Sequence, residues 1–185
     1  MCAELRKMGI RNIVLNPVSV IEAPYDLSEC GVNVIDLRRK DFLYPAYQIG
    51  KRIDFTNAAA NVYLGYGWSV AEPVARWSGR GRAVVAFGLA DPTAATLRLK
   101  LTPFLVAGKL DQQRMNVKLN DQITGSLILN KGEPSEYSIS LPAGVLRDKN
   151  VLMFELPDAA APKDLGVSQD TRRLGISVQW LRIDL

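Results

Sequence analysis

Beyond residue 47 the chain alternates apolar and polar residues one for one in short runs, the period of a half-buried β-strand. Leu97, Leu99 and Leu101 alternate with Arg98 and Lys100. Tyr137, Ile139 and Leu141 alternate with Ser138 and Ser140 and stop at Pro142. Ala83, Val85, Phe87 and Leu89 form another such run, as do Leu152, Phe154 and Leu156, closed by Pro157. Val117 and Leu119 lead into Asn120-Asp121, a hairpin signal, and the chain resumes with Ile123 to Leu129. The final run carries Ile176, Val178 and Trp180 on one phase, then Leu181 and Ile183 on the other, so a β-bulge is expected near Trp180. Arg52 to Phe55 and Asn61 to Gly65 add two shorter candidates. Strands this short and this regularly punctuated predict a mainly β fold. The expected form is an antiparallel two-sheet, jelly-roll-like sandwich over residues 47–185.

The first 46 residues follow a different grammar. Ala3 to Met8 suits a short helix with Gly9 as its C-cap, and Ile10 to Leu15 reads as a buried strand closed by Asn16-Pro17. Val32 to Leu37 is a second strand candidate, followed by the charged run Arg38-Arg39-Lys40-Asp41. Helix, strand, loop and strand make a short α/β segment that cannot bury its own faces. It is expected either to pack on the sandwich or to be the tail of an upstream domain.

Composition removes more functions than it suggests. The 185 residues are 48% hydrophobic and 23% charged, enough to bury a core without disulfide or metal support. The 23 basic against 19 acidic residues give a mild excess of +4, scattered among acids rather than gathered into a stripe, so nucleic acid is not an expected partner. No apolar run is long enough to span a bilayer, and residues 1–7 show no hydrophobic core of a signal peptide. Cys2 and Cys30 both lie in the first segment; they are read as separate thiols, with pairing left open. Histidine is absent altogether. That removes Ser-His-Asp and Cys-His nucleophiles, His-ligated zinc and the usual general base near neutrality. Carboxylate pairs remain available for chemistry.

Two segments are richer in side chains than a scaffold needs. Gly65 to Gly79 holds Tyr66, Trp68, Glu72, Arg76 and Trp77 among glycines. Flat aromatic faces suit the C–H faces of sugar rings, and Glu and Arg suit the hydroxyls around the ring edge. Either tryptophan can equally plug the sandwich core. Ser168 to Ile176 carries Asp170 and Arg172, two residues apart, able to serve a ligand or to brace the aromatic loop. Arg76, Arg80 and Arg82 could meet an acidic group, though a solvated face is the plainer reading. A third possibility makes Glu72 and Asp170 a catalytic carboxylate pair. The carboxylates Asp148, Glu155, Asp158 and Asp164 lack metal-loop spacing, so no cofactor is expected, and a structural Ca²⁺ is left open.

These segments also resemble a known module. Tyr47-Gln48-Ile49-Gly50, Ile53-Asp54-Phe55, Gly67-Trp68-Ser69, Glu72, Trp77-Ser78-Gly79 and Ala83 come first, with Gln113 to Val117 and Asn120 after them. Pro162, Ser168, Asp170, Arg172 and Leu174-Gly175-Ile176 complete the series. In that order they are similar to the C-terminal, carbohydrate-binding-like sandwich appended to many bacterial glycosyltransferases and phosphoglycerol-transferase-like proteins of cell-surface polysaccharide assembly. The resemblance covers roughly residues 47–185. It implies a non-catalytic domain whose partner is a glycan or glycan acceptor, with transferase chemistry in an upstream domain. The compartment is left open: the piece reads as soluble, and a membrane-associated parent on the cytoplasmic or the periplasmic side fits it equally. The ligand-binding residues expected on this basis are Tyr66, Trp68, Glu72, Arg76, Trp77, Asp170 and Arg172, and the alternative is a structural docking or assembly sandwich.

Overall fold

The structure, a computed structural model, describes residues 7–9, the strand backbones 12–15 and 33–36, and residues 44–185. The chain divides into two compact units, 1–42 and 43–185. In the first, β1 (Asn12–Leu15) and β2 (Asn33–Asp36) pair in parallel, Asn12 opposite Asn33 and Leu15 opposite Asp36. Parallel neighbours require a crossover between them, and the residues that would make it lie outside those described. The helix expected over 3–8 and the two cysteines lie outside the described residues, except Lys7 and Met8.

Among the described residues the second unit holds nine strands in two antiparallel sheets. They are β3 (Arg52–Asp54), β4 (Arg76–Trp77), β5 (Arg82–Gly88), β6 (Ala95–Pro103) and β7 (Gln113–Leu119). Then follow β8 (Gln122–Leu129), β9 (Ser135–Leu141), β10 (Lys149–Glu155) and β11 (Ile176–Asp184). One sheet runs β5-β10-β7-β8 and the other β3-β11-β6-β9, with β4 on the same edge of β11 as β3. The fold is the antiparallel, mainly β sandwich that the alternation predicts.

The alternation turns into a core because cross-strand neighbours share a face. Leu97, Leu99 and Leu101 of β6 face Ile176, Val178, Leu181 and Ile183 of β11 and Ile139 and Leu141 of β9, all buried. From the other sheet come Ala83, Val85 and Phe87, Leu152 and Phe154, and Met115, Val117 and Leu119. Burying each large side chain contributes roughly 1.5–3 kcal/mol. The register of β11 slips between Val178 and Trp180. That bulge lets four apolar residues of both phases reach one core and turns Trp180 to the other face. There Arg52 lies 4.2 Å and Arg182 5.9 Å from its ring.

One expected strand is corrected. Asn61 to Gly65 is not a strand: a 3₁₀ helix spans Ala58–Val62, with Asn57 accepting the Ala59 amide through its side chain. Asn57 is a strong cap, and the alanines after it have no branched side chains to demand a pleated surface. Only Leu64 bridges onto β5, opposite Val85. No helix among the described residues is long and apolar enough to cross a membrane.

Candidate functional site

Residues 67–79 form a projecting hairpin beside β11. The amide of Gly79 donates to the Gly67 carbonyl, Ser69 to Trp77, and Glu72 to Ala75, leaving Pro73 and Val74 exposed at the tip. Its base passes tightly over β5. Gly67 sits at φ +90°, and a Cβ there would stand 1.9 Å from the Arg82 carbonyl oxygen. Only glycine fits both the backbone angle and the gap.

The hairpin distributes its side chains by strand parity. Trp68 pairs with Ser78, which is fully buried, so its ring turns inward. It meets Phe55 at 4.8 Å and Phe154 at 6.2 Å between ring centroids, and its Nε1–H donates to the Val84 carbonyl at 2.7 Å. Trp68 therefore ties the two sheets together at their edge. Trp77 pairs with Ser177, which pairs with Thr102, on the outer face of the β11 sheet. There its half-buried ring meets the edge of Phe104 at 6.2 Å. Half-buried Tyr66 offers its carbonyl to the Val84 amide.

Glu72, Asp170 and Arg172 come together across the loop between β10 and β11. Arg172 lays Nε and Nη2 along the Asp170 carboxylate at 3.0 and 2.7 Å, while Nη1 reaches Glu72 at 3.4 Å. Asp170 also accepts the Arg172 amide at 2.9 Å and donates its own amide to the Ser168 hydroxyl. The spacing Ser168, Asp170, Arg172 is thus a self-braced turn. These hydrogen bonds from Arg172 hold the Asp170 carboxyl below the usual carboxylate range and push the guanidinium up. A carboxylate so held does not keep a proton at neutral pH, which argues against Asp170 as the acid of a glycosidase pair. The brace from Arg172 to the aromatic loop is formed. With about 40% of the Arg172 and 38% of the Glu72 side chain exposed, the cluster also faces solvent.

Arg76 is the one cation among residues 67–79. It pairs with Val178, whose neighbour on β6 is Leu101, and both are fully buried, so Arg76 points into the sandwich. Its residue exposure is 5%. Nη1 donates to Asn61 Oδ1 at 2.7 Å and Nη2 to the Asn57 carbonyl at 3.5 Å, while Nε is buried without an acceptor. Burial alone lowers its pKa. Asn57 and Asn61 were not among the sequence candidates; the one signal was an asparagine at a helix start with a second one turn on. Of the basic trio, Arg82 lies near Glu155 at 3.7 Å on the surface, as a solvated face predicts. Among the described residues no group of three His, Cys, Asp or Glu side chains is placed to hold a metal ion.

No family model matches this chain, and no curated protein matches it in sequence. Solved structures similar to it include the CBM36-1 domain of a multidomain xylanase from the hindgut metagenome of Trinervitermes trinervoides. That match has 14% identity and a TM-score of 0.38 over 56% of this chain and 70% of that one. A family 35 carbohydrate-binding module from an environmental isolate gives 13% identity and 0.40 over 66% and 76%. The GH26-CBM35 β-(1,4)-mannanase of Podospora anserina gives 12% identity and 0.42 over 72% and 27%. All three overlap part of the chain only.

Proposed function

We propose that the sandwich is a non-catalytic carbohydrate-binding accessory module of a bacterial glycosyltransferase or polysaccharide-assembly protein. The observation that carries the reading is the solvent-facing Glu72–Arg172–Asp170 cluster at the tip of the hairpin that also presents Trp77. A charged donor flanked by two acceptors suits vicinal hydroxyls, and an aromatic face suits a sugar ring. The ligand edge then consists of Glu72, Trp77, Asp170 and Arg172. Tyr66, Trp68 and Arg76 stand behind it, and a glycan or glycan acceptor is the partner. The resemblance to modules of polysaccharide assembly supports a transferase domain as the neighbour.

Titration calorimetry of the purified chain against a panel of surface-polysaccharide fragments tests this. Saccharide binding that weakens at least tenfold in Trp77→Ala and Arg172→Ala, about 1.4 kcal/mol, is expected. Absence of any saccharide binding at millimolar concentration would overturn direct recognition. A second reading, a docking or assembly sandwich, is favoured by one observation: Trp68 spends its indole N–H and ring contacts inside the fold.

A further inference from the structure

We infer that Arg76 is the seat of an oxyanion, and that the glycan proposed above is an acidic one. Proteins rarely bury a guanidinium without a counter-charge, because desolvation of the cation is otherwise uncompensated. Arg76 breaks that rule. Among the described residues its hydrogen-bond partners are both neutral, the Asn61 amide oxygen and the Asn57 carbonyl, and no carboxylate pairs with it. The second observation is which edge of the group is spent. Nη1 is used at 2.7 Å on Asn61, whereas Nε has no partner and Nη2 only a 3.5 Å contact. Nε and Nη2 form the parallel pair of donors that a carboxylate, sulfate or phosphate engages with two oxygens.

The residues that touch the guanidinium lie at the surface. Asn57 and Asn61, which touch the guanidinium, are exposed and belong to the short 3₁₀ helix and its cap. Of that helix only Ala60 is buried in the core. Movement of this lightly anchored turn would open the edge, and an arriving oxyanion would repay it with the missing charge. The glycan reading supplies the anion as a uronate carboxylate; a phosphodiester of a substituted polysaccharide presents the same paired oxygens.

The experiment titrates the chain with methyl glucuronide, methyl glucoside and inorganic phosphate, and follows the Arg76 Nε–H resonance by NMR. The expected result is a glucuronide at least tenfold tighter than the glucoside, with a shifted Nε–H signal. In Arg76→Met the preference disappears while neutral-sugar binding persists. Should Arg76→Met not fold, the wild-type preference and the Nε–H shift decide alone. Equal binding of glucuronide and glucoside with an unmoved Nε–H signal, or a preference surviving in Arg76→Met, overturns the inference. Phosphate binding that shifts Nε–H, with neither saccharide bound, supports the oxyanion seat and refutes the glycan reading instead.

Discussion

At the scale of single residues, the two tryptophans of the hairpin show what a sequence does and does not reveal. Nine positions apart, Trp77 sits on the phase of a candidate strand, which suits the core, and Trp68 lies between glycines; strand parity instead sends Trp68 inward and Trp77 outward. Trp68→Ala is expected to cost about 3 kcal/mol in urea unfolding, the lower part of the range for aromatic truncation, because the ring is only partly buried. Trp68→Phe should cost about 1 kcal/mol, since Val84 still accepts from the Gly65 amide and is not orphaned. A loss as large as that of the alanine variant would show that the indole hydrogen bond, rather than the ring, closes the sandwich edge. The Asp170–Arg172 pair was legible because its members are two apart. Its link to Glu72, a hundred residues away, was not, because only the folded chain brings the hairpin to that loop.

At the scale of elements, runs with strict alternation were readable and short ones were not. β6 and β10 announce themselves because burial on one face forces every second residue to be apolar. β4 is two residues long, too short to carry a period, so nothing in the sequence revealed that Arg76 faces inward. The turn between β7 and β8 was legible through its chemistry. Asn120 and Asp121 sit at φ +50° and +69°, the type I′ geometry. Asn120 also donates to the Val145 carbonyl and accepts the Val151 amide, so it is fixed by tertiary contacts. Asp121 is exposed and makes no such contact. Asp121→Gly should therefore stabilise the domain by about 0.5–1 kcal/mol, by relieving the left-handed backbone. Chemical denaturation measures it, and a destabilised variant would contradict the turn assignment.

At the scale of the whole molecule, the lack of histidine sets the pH response. No side chain of that type titrates between about pH 5 and 8, so a stability plateau is expected there. Among the described residues three carboxyls are held below their usual range: Asp54 by the Thr56 hydroxyl and amide, Asp158 by Arg114, and Asp170 by Arg172. A depressed folded-state pKa stabilises the native protein above the unfolded value, near pH 3.9. That stabilisation is lost as pH falls through the folded value. Melting temperature should thus hold from about pH 7 to 5 and fall below about pH 4. Asp158→Asn should shallow the acid limb, and a steep loss already at pH 6 would contradict the assignment.

The place of β11 has a consequence for how the protein is made. It is the last strand in sequence, yet it lies between β6 on one side and β3 and β4 on the other. While the chain is still being synthesised, β6 and the two short strands have no partner along that line. The edge of β6 that β11 will occupy is open to other chains. Translation must therefore run through residue 184 before the sheet can close. A chain cut before residue 176 is expected to be more protease-sensitive than the whole domain, which limited proteolysis measures.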